Sequence, residues 1–188
     1  MSRIREMLSG EYGLLDEFLY QAIHTEPDEP RPPRSVTADP ALRAYVEGFG
    51  RTGDVAVCAE EDGDVVGAAW ARLMRGYGFA GDGVPELAVS VLPGHRGRGL
   101  GTALLSSLIE RCSELGCPAL SLSVQRSNPA ARLYERLGFQ EISGDDREAV
   151  MALPLGGRDE SARGGVLRPC PGSPIIPWGA SGPAARPV

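Results

Sequence analysis

The segment of residues 86–105 constrains the fold more than any other part of the chain, because three kinds of structure follow one another within it. Apolar and small residues alternate at positions 86–91, which predicts a strand. A turn and a loop with three glycines at alternate positions come next, and an amphipathic helical pattern then begins. The free N–H groups and positive dipole end of such a helix point back at the loop. The segment therefore predicts a strand–loop–helix unit that binds a phosphate or pyrophosphate.

The spacing of the glycines excludes two common phosphate-binding motifs. A P-loop needs a lysine after its last glycine, and all nineteen basic residues of this chain are arginine. A dinucleotide-binding fingerprint needs Gly or Ala at its sixth position, where the two registers here place Thr102 and Leu104. The spacing that does fit is Arg96-x-x-Gly99-x-Gly101. Taken alone, this loop is also compatible with a flexible surface turn, so a second motif is needed.

A second motif lies about thirty residues further along the chain. Leucine and valine alternate with serine at residues 119–124, which predicts another strand. Asn128 followed by Pro129 is typical of a helix start, and Gly138 of a helix end. The short helix between them carries Tyr134 and runs into the tripeptide Leu-Gly-Phe.

Together the two motifs resemble those of the GNAT superfamily of N-acetyltransferases, over roughly residues 2–154. That family has an Arg/Gln-x-x-Gly-x-Gly/Ala loop for coenzyme A, then a strand, an Asn, a helix with a Tyr, and Leu-Gly-Phe. The resemblance implies an α/β (α+β) fold: a mixed, mostly antiparallel sheet flanked by helices, with splayed central strands. It also implies transfer of an acetyl group from acetyl-CoA to a primary amine by direct attack on the thioester. A small-molecule amine and a peptide amine both remain open as the acceptor, and relatives are often homodimers.

The same resemblance implies two sets of contacts with acetyl-CoA. The loop would hold the pyrophosphate, and the pantetheine arm would pair with the strand at 86–91 like an added strand. The cofactor-binding residues expected on this basis are Val89, Ser90, Val91, Arg96, Gly97, Arg98, Gly99, Leu100, Gly101, Thr102 and Asn128. Small residues at Ala88 and Ser90, facing Ser121 and Ser123, would leave room for the arm, although an ordinary solvent-facing sheet has the same pattern. Asn128 is equally well explained as a helix cap.

Two residues are the candidate catalytic groups. The resemblance places Tyr134 near the coenzyme sulfur, where a phenol with a pKa of ~10 can protonate the departing thiolate; the alternative is a tyrosine packed against Leu133 and Leu137. Glu86 stands where many relatives place a base that acts directly or through a water. Burial must raise its pKa from ~4.3 for that role; the alternative is a charged strand end. His95 is interpreted as a loop residue on the phosphate side.

Composition narrows the class of protein. Hydrophobic residues make up 42% of the chain and the net charge is −6, as in globular proteins. Twenty-five acidic residues outnumber the basic ones, so nucleic acid is not expected as a partner. The chain has neither a run of eighteen apolar residues nor the apolar core of a signal peptide, which predicts no membrane span and a cytoplasmic location. Its four cysteines and two histidines lack metal-ligand spacing, so we expect reduced thiols and no metal.

The pattern along the chain predicts one domain and a tail. Residues 1–155 are expected to form the acetyltransferase domain. Residues 156–188 contain seven glycines and six prolines among thirty-three residues, so we expect a disordered tail; packing of residues 175–178 against a partner is the alternative. Within the domain, the predicted elements are a strand at 4–8, helices at 11–24 and 40–49, a hairpin of strands 55–59 and 65–73 around Asp62-Gly63, a helix at about 99–115, and a terminal hairpin of strands 139–143 and 148–153.

Three points stay open at this stage. Glu26, Asp28 and Glu29 would attract a cationic acceptor, or simply form a solvated acidic loop. A noncatalytic acyl-CoA-binding module of the same fold is the first alternative to an enzyme. The second alternative is a protein whose glycine loop binds a different nucleotide or phosphate.

Overall fold

Seven strands form one sheet in the computed structural model, which describes residues 2–26 and 28–156. The strands are β1 (Arg3–Glu6), β2 (Val55–Glu61), β3 (Asp64–Arg72), β4 (Glu86–Val91), β5 (Ala119–Gln125), β6 (Gln140–Gly144) and β7 (Glu148–Pro154). The α-helices are α1 (Leu15–Ala22), α2 (Pro40–Arg43), α3 (Leu100–Glu114) and α4 (Ala131–Arg136), and 3-10 turns cover Ser9–Leu14, Arg34–Ala38 and Pro93–His95.

The order of the strands is β1-β2-β3-β4-β5-β7-β6. All neighbouring pairs are antiparallel except β4 and β5, which are parallel. The predicted fold, a mixed but mostly antiparallel sheet flanked by helices, is confirmed. The hairpin between β2 and β3 turns at Asp62 and Gly63, with φ angles of 52° and 94°. Two positive φ angles are typical of the tight turns that suit the twist of paired strands.

Each face of the sheet carries its own hydrophobic core. On one face, α3 buries Leu104, Leu105 and Leu108 against β2, β3 and β4. On the other face, Phe18 of α1 and the fully buried Trp70 of β3 belong to the second hydrophobic core. The alternation in β4 sends its leucine and valines to the α3 face and its alanine and serine to the α1 face. Helices therefore cover both faces of the sheet, and successive side chains of β4 enter the two cores in turn.

The first two helices are shorter than predicted. The pattern at 11–24 begins as a 3-10 turn, and α1 starts only at Leu15, beyond two glycines that weaken a helix. Asp39 caps α2, since its Oδ1 accepts a hydrogen bond of 2.8 Å from the Ala41 N–H. The prediction that this helix continues to Phe49 is wrong, because α2 ends at Arg43 and turns follow. The backbone carbonyls of those turns accept hydrogen bonds from Trp70 and Arg72 of β3.

The predicted tail, residues 156–188, lies outside the described residues apart from Gly156. Within the described part of the chain the longest helix has fifteen residues, and none combines the length and hydropathy of a membrane span. The same residues hold no group of three or more His, Cys, Asp or Glu side chains arranged for a metal ion. Cys58 and Cys112 are buried free thiols.

Candidate active site

The sheet opens between its two parallel strands. Glu86 and Ser121 are the single residue pair of the β4–β5 ladder, next to a hydrogen bond of 3.0 Å from the Ser121 N–H to the Pro85 carbonyl. Beyond this pair the strands diverge, and Ala88 and Val89 are partly exposed between buried neighbours. The predicted splay of the central strands is confirmed.

One edge of β4 faces this gap. The Leu92 N–H donates to the Val66 carbonyl at 2.9 Å, so alternate backbone groups along β4 point to β3. The groups of Val89 and Val91 then point the other way, towards β5. The Val91 carbonyl accepts a hydrogen bond of 2.8 Å from Arg96 Nε. The strand therefore presents an edge to which an extended ligand can pair.

Ser90, a predicted cofactor contact, is not part of this edge. Its backbone faces β3 in the same register, paired with Ala68. Its hydroxyl donates a hydrogen bond of 2.7 Å to the Phe18 carbonyl of α1. The side chain is buried, so it holds α1 on the sheet and does not line the gap.

A cavity of about 120 Å³ lies between the diverging strands. The wall combines side chains from α1, α2, α4, β4, β5 and β7 with residues of four connecting segments. The polar or cofactor-related wall residues are His24, Tyr45, Tyr77, Val89, Ser123, Gln125, Asn128, Tyr134 and Glu148. Three predicted site residues, Val89, Asn128 and Tyr134, are thus brought together on one cavity.

The glycine loop lies between β4 and the start of α3. Gly97 and Gly99 have φ angles of 73° and 82°, which only glycine adopts readily. The first intrahelical hydrogen bond runs from the Ala103 N–H to the Gly99 carbonyl at 3.1 Å, so the amides of residues 100–102 are the free donors of the helix end. A Cβ built on either loop glycine would meet no atom within 4 Å. Open space and converging amides fit an anionic ligand.

The charged side chains of the loop are held by neighbours. Arg96 is tied to β4 through the Val91 carbonyl, and burial lowers the pKa of its guanidinium. Arg98 Nη1 lies 3.1 Å from Glu61 Oε2, and His95 Nδ1 lies 2.8 Å from the same oxygen. His95 belongs to a 3-10 turn beside the loop, in agreement with its interpretation as a loop residue.

Glu86 is buried at the closed end of the gap, with 1% of its surface exposed. Burial raises the pKa of its carboxyl to about 7, although hydrogen bonds from Tyr45 and from the amides of Gly78 and Gly76 lower it. The Tyr45 hydroxyl and the Gly78 N–H, the latter at 2.6 Å, both donate to Oε1. The negative charge of Glu148 adds to the rise. Glu86 is therefore no exposed strand end but a carboxyl that ionises near neutral pH.

Tyr134 approaches the cavity from α4, on the other face of the sheet. Its ring meets Phe139 edge-on with centroids 5.9 Å apart, and burial raises the pKa of its phenol to about 12. It thus packs in the core and borders the cavity at once. Asn128 Oδ1 accepts a hydrogen bond of 2.9 Å from the Ala130 N–H and so closes the turn before α4; the N-cap position itself is Ala130, which has no side-chain cap. Asn128 lies beside the cavity.

Five polar wall residues were not predicted from the sequence: His24, Tyr45, Tyr77, Gln125 and Glu148. Tyr45 and Tyr77 come from connecting segments, and Glu148 begins β7 and accepts a hydrogen bond from the Ser123 hydroxyl. The glycines around Tyr77 were a usable signal. A Cβ at Gly78 would lie 2.4 Å from the Leu122 backbone, so only glycine lets this segment cross β5 so closely.

The turn that carries Tyr45 is fixed by residues of β3. Trp70 Nε1 donates to the Tyr45 carbonyl at 3.1 Å. Arg72 Nη1 donates at 3.0 Å to each of the carbonyls of Ala44 and Glu47. Arg72 also forms a buried ion pair of 3.1 Å with Asp54. After α2 the N–H groups of Tyr45 and Val46 bond to carbonyls three residues back, so the chain continues in tighter turns, which Trp70 and Arg72 hold against the sheet.

Comparison with proteins of known structure agrees with the observed fold. The ribosomal-protein-S18-alanine N-acetyltransferase of Escherichia coli superposes with a TM-score of 0.61 at 22% identity, covering 87% of this chain and 99% of that one. A candidate acetyltransferase of Salmonella typhimurium, solved with its cofactor acetyl-CoA, also gives 0.61, at 25% identity, covering 85% of this chain and 96% of that one.

Two curated proteins are similar over part of their length. A [ribosomal protein bS18]-alanine N-acetyltransferase of Haemophilus influenzae is 40% identical over 73 residues, which are 39% of this chain and 49% of that protein. A mycothiol acetyltransferase of Propionibacterium freudenreichii is 32% identical over 115 residues, 59% of this chain and 35% of that protein. The match therefore spans half or less of these relatives. The family model described as Acetyltransferase (GNAT) family matches residues 17–139, more than half of the chain, and the chain belongs to this family.

Proposed function

We propose that this chain transfers an acetyl group from acetyl-CoA to the primary amine of an acceptor. The observation that carries the proposal is the gap between β4 and β5, which has a carboxyl that ionises near pH 7 at its closed end. The β4 edge leads from there to the glycine loop and the start of α3. Family membership supports the same activity.

The residues present fit acetyl-CoA. The backbone of Val89 offers an N–H and a carbonyl to an extended arm, as in strand addition. The amides of residues 100–102 and the loop at Gly97 and Gly99 suit a pyrophosphate. When bound, acetyl-CoA supplies the activated acetyl group. Asn128 and Tyr134 border the cavity through which the arm would reach the acceptor.

Two side chains suit the proton transfers of this reaction. The amine must lose a proton, and Glu86, with its pKa of about 7, would take it up at neutral pH. The departing sulfur must gain a proton, and Tyr134, with its pKa of about 12, stays protonated and would donate it. Tyr134 borders the cavity, whereas Glu86 is buried outside the cavity wall and is hydrogen-bonded to Tyr45, which does line it.

The acceptor is to be sought among small amines and peptide N-termini. One relative bears the name of an alanine N-acetyltransferase and another that of a mycothiol acetyltransferase, which is why both classes are included. The acidic and hydroxyl groups on the cavity wall favour a cationic amine. We propose the cytoplasm as its location, where buried free thiols such as Cys58 and Cys112 persist.

The first experiment is thermal unfolding with acetyl-CoA, CoA, ATP and NAD, each at about 100 times its dissociation constant, which adds about 2.7 kcal/mol. Thiol release is then followed with a panel of amines and peptides. A shift with the two coenzyme A species alone, together with amine-dependent thiol release, supports the proposal. A shift without thiol release for any amine favours a noncatalytic acyl-CoA-binding module. A shift with ATP or NAD alone overturns it.

A further inference from the structure

The carboxyl of Glu86 is sealed off from the cavity. Only 1% of its surface is exposed, and the cavity wall does not include it. Gly76 packs so close that a Cβ there would lie 2.6 Å from Oε2, and the Gly78 N–H covers Oε1. An amine inside the cavity therefore needs an intermediate group to pass its proton to this carboxyl.

Tyr45 connects the cavity with the carboxyl of Glu86. Its side chain lines the cavity, and its hydroxyl donates a hydrogen bond to Glu86 Oε1. A phenol has one hydrogen to donate and two lone pairs to accept with. The hydrogen goes to Glu86, and the backbone amide of Tyr77 approaches one lone pair. The remaining lone pair is the one that an N–H group in the cavity would have to reach, past the Gly76 backbone that packs beside this oxygen.

We propose that Tyr45 is a catalytic residue that relays the proton of the acceptor amine to Glu86; this inference rests on the proposed function. In the step, an N–H bond of the protonated acceptor amine breaks and an O–H bond forms on the Tyr45 oxygen. The original O–H bond of Tyr45 breaks, and its hydrogen bonds to Glu86 Oε1. Tyr45 ends unchanged, Glu86 becomes neutral, and the amine nitrogen keeps the electron pair with which it attacks the thioester.

The surroundings require the two transfers to occur together. Burial, then the charge of Glu86, raise the pKa of the Tyr45 phenol well above its ordinary value, so a free tyrosinate is unfavourable. The other titratable groups around the pair and its cavity are Tyr77, whose own pKa burial raises, Glu148 of β7, and His24, which follows α1. The turn held by Trp70 and Arg72 keeps Tyr45 in place, so the relay does not depend on a flexible segment.

The test compares Tyr45→Phe with the wild type across pH, using the acceptor found in the amine panel. Removing the hydroxyl should lower the plateau kcat by about 100-fold, the usual scale of a general-base contribution, while the KM for acetyl-CoA stays within about twofold. Tyr20→Phe is the matched control, because its hydroxyl also donates one hydrogen bond, to the Pro32 carbonyl at 2.8 Å, away from the cavity wall. Thermal unfolding and acetyl-CoA affinity report whether each variant is folded.

The pH profile separates a relay from a structural role. Loss of the hydrogen bond raises the pKa of Glu86, so the acid limb of kcat moves to higher pH in either case. If Tyr45 only tunes that pKa, the activity of Tyr45→Phe returns to the wild-type plateau at high pH, and the relay is overturned. A deficit that persists on the plateau supports it. If the wild type itself releases no thiol with any amine, the proposed function fails and the relay with it.

Discussion

Glu86 and Ser121 are the one residue pair that joins β4 to β5, and the gap that holds the cavity begins directly beyond them. The proposed base thus stands at the closed end of the gap. From there β4 runs for six residues to the glycine loop, a path of about 17 Å at the usual rise per residue. The residues proposed for proton removal and for phosphate binding therefore lie at the start of one strand and beyond its end.

Replacement of Glu86 by Gln should remove the acid limb of the pH–rate profile. The pKa of about 7 means that the carboxylate form, and with it kcat/KM, increases as pH rises through 7. The Gln variant should lose about 100-fold or more in kcat/KM and show no rise there. Glu110→Gln, an exposed change on α3, is the control. If the acid limb of the pH–rate profile is unchanged in the Glu86 variant, another group is responsible for that limb.

The same carboxyl should make the folded state less stable as pH rises. Its folded pKa of about 7 lies above the ordinary value of 4.5, so the stabilisation is complete below 4.5 and is lost as pH rises through 7. The shift corresponds to about 3 kcal/mol. Denaturant unfolding at about pH 4.5 and pH 8.5, in wild type and Glu86→Gln, measures it: the wild type should lose more stability than the variant. Equal losses would contradict the raised pKa.

Replacement of Tyr134 by Phe should slow turnover by about tenfold or more, because no proton donor then serves the departing sulfur. The affinity for acetyl-CoA should stay nearly intact, since the ring keeps its packing against Phe139. Stopped-flow thiol release and calorimetric binding test both points. Wild-type turnover in the variant would leave Tyr134 with its packing role alone.

Replacement of Gly99 by Val should abolish acetyl-CoA binding, because the side chain would enter the open space at the start of α3. The φ angle of 82° also makes a β-branched residue strained there. Gly116→Val is the matched control: its φ of 77° brings similar strain at the other end of α3, again with no atom within 4 Å. Both variants should lose similar stability, whereas only Gly99→Val should lose binding. Equal affinities would refute the assignment of the loop.

The buried pair of Arg72 and Asp54 should matter for both stability and catalysis. Asp54→Asn leaves the Arg72 charge buried without its carboxylate, which costs about 3–5 kcal/mol. Because Arg72 also holds the turn of Tyr45, we expect turnover to fall in the folded fraction. Denaturant unfolding and active-site titration by acetyl-CoA binding separate the two effects. A loss of stability with full turnover would show that the turn is held by other bonds.

The sequence by itself determined the local units of the site. Glycines with positive φ after a short strand, the turn at Asn128 and the end at Gly138 are set by backbone geometry within a few residues. These units were predicted near their observed bounds, and they place the β4 edge and the glycine loop next to each other. The prediction failed for α2, where the chain turns more tightly after Arg43 and side chains of β3, 25 and 28 residues away, hold those turns.

Tertiary structure alone decided the chemistry of the carboxyl. The sequence shows Glu86 at the start of a strand, where a carboxylate is normally solvated, and only the crossing of the segment with Gly76 and Gly78 removes it from water. Tyr45 reaches it across a sequence separation of 41 residues, and Glu148 approaches from β7. A raised pKa depends on desolvation and on charges that are near in space, and neither follows from the order of residues along the chain.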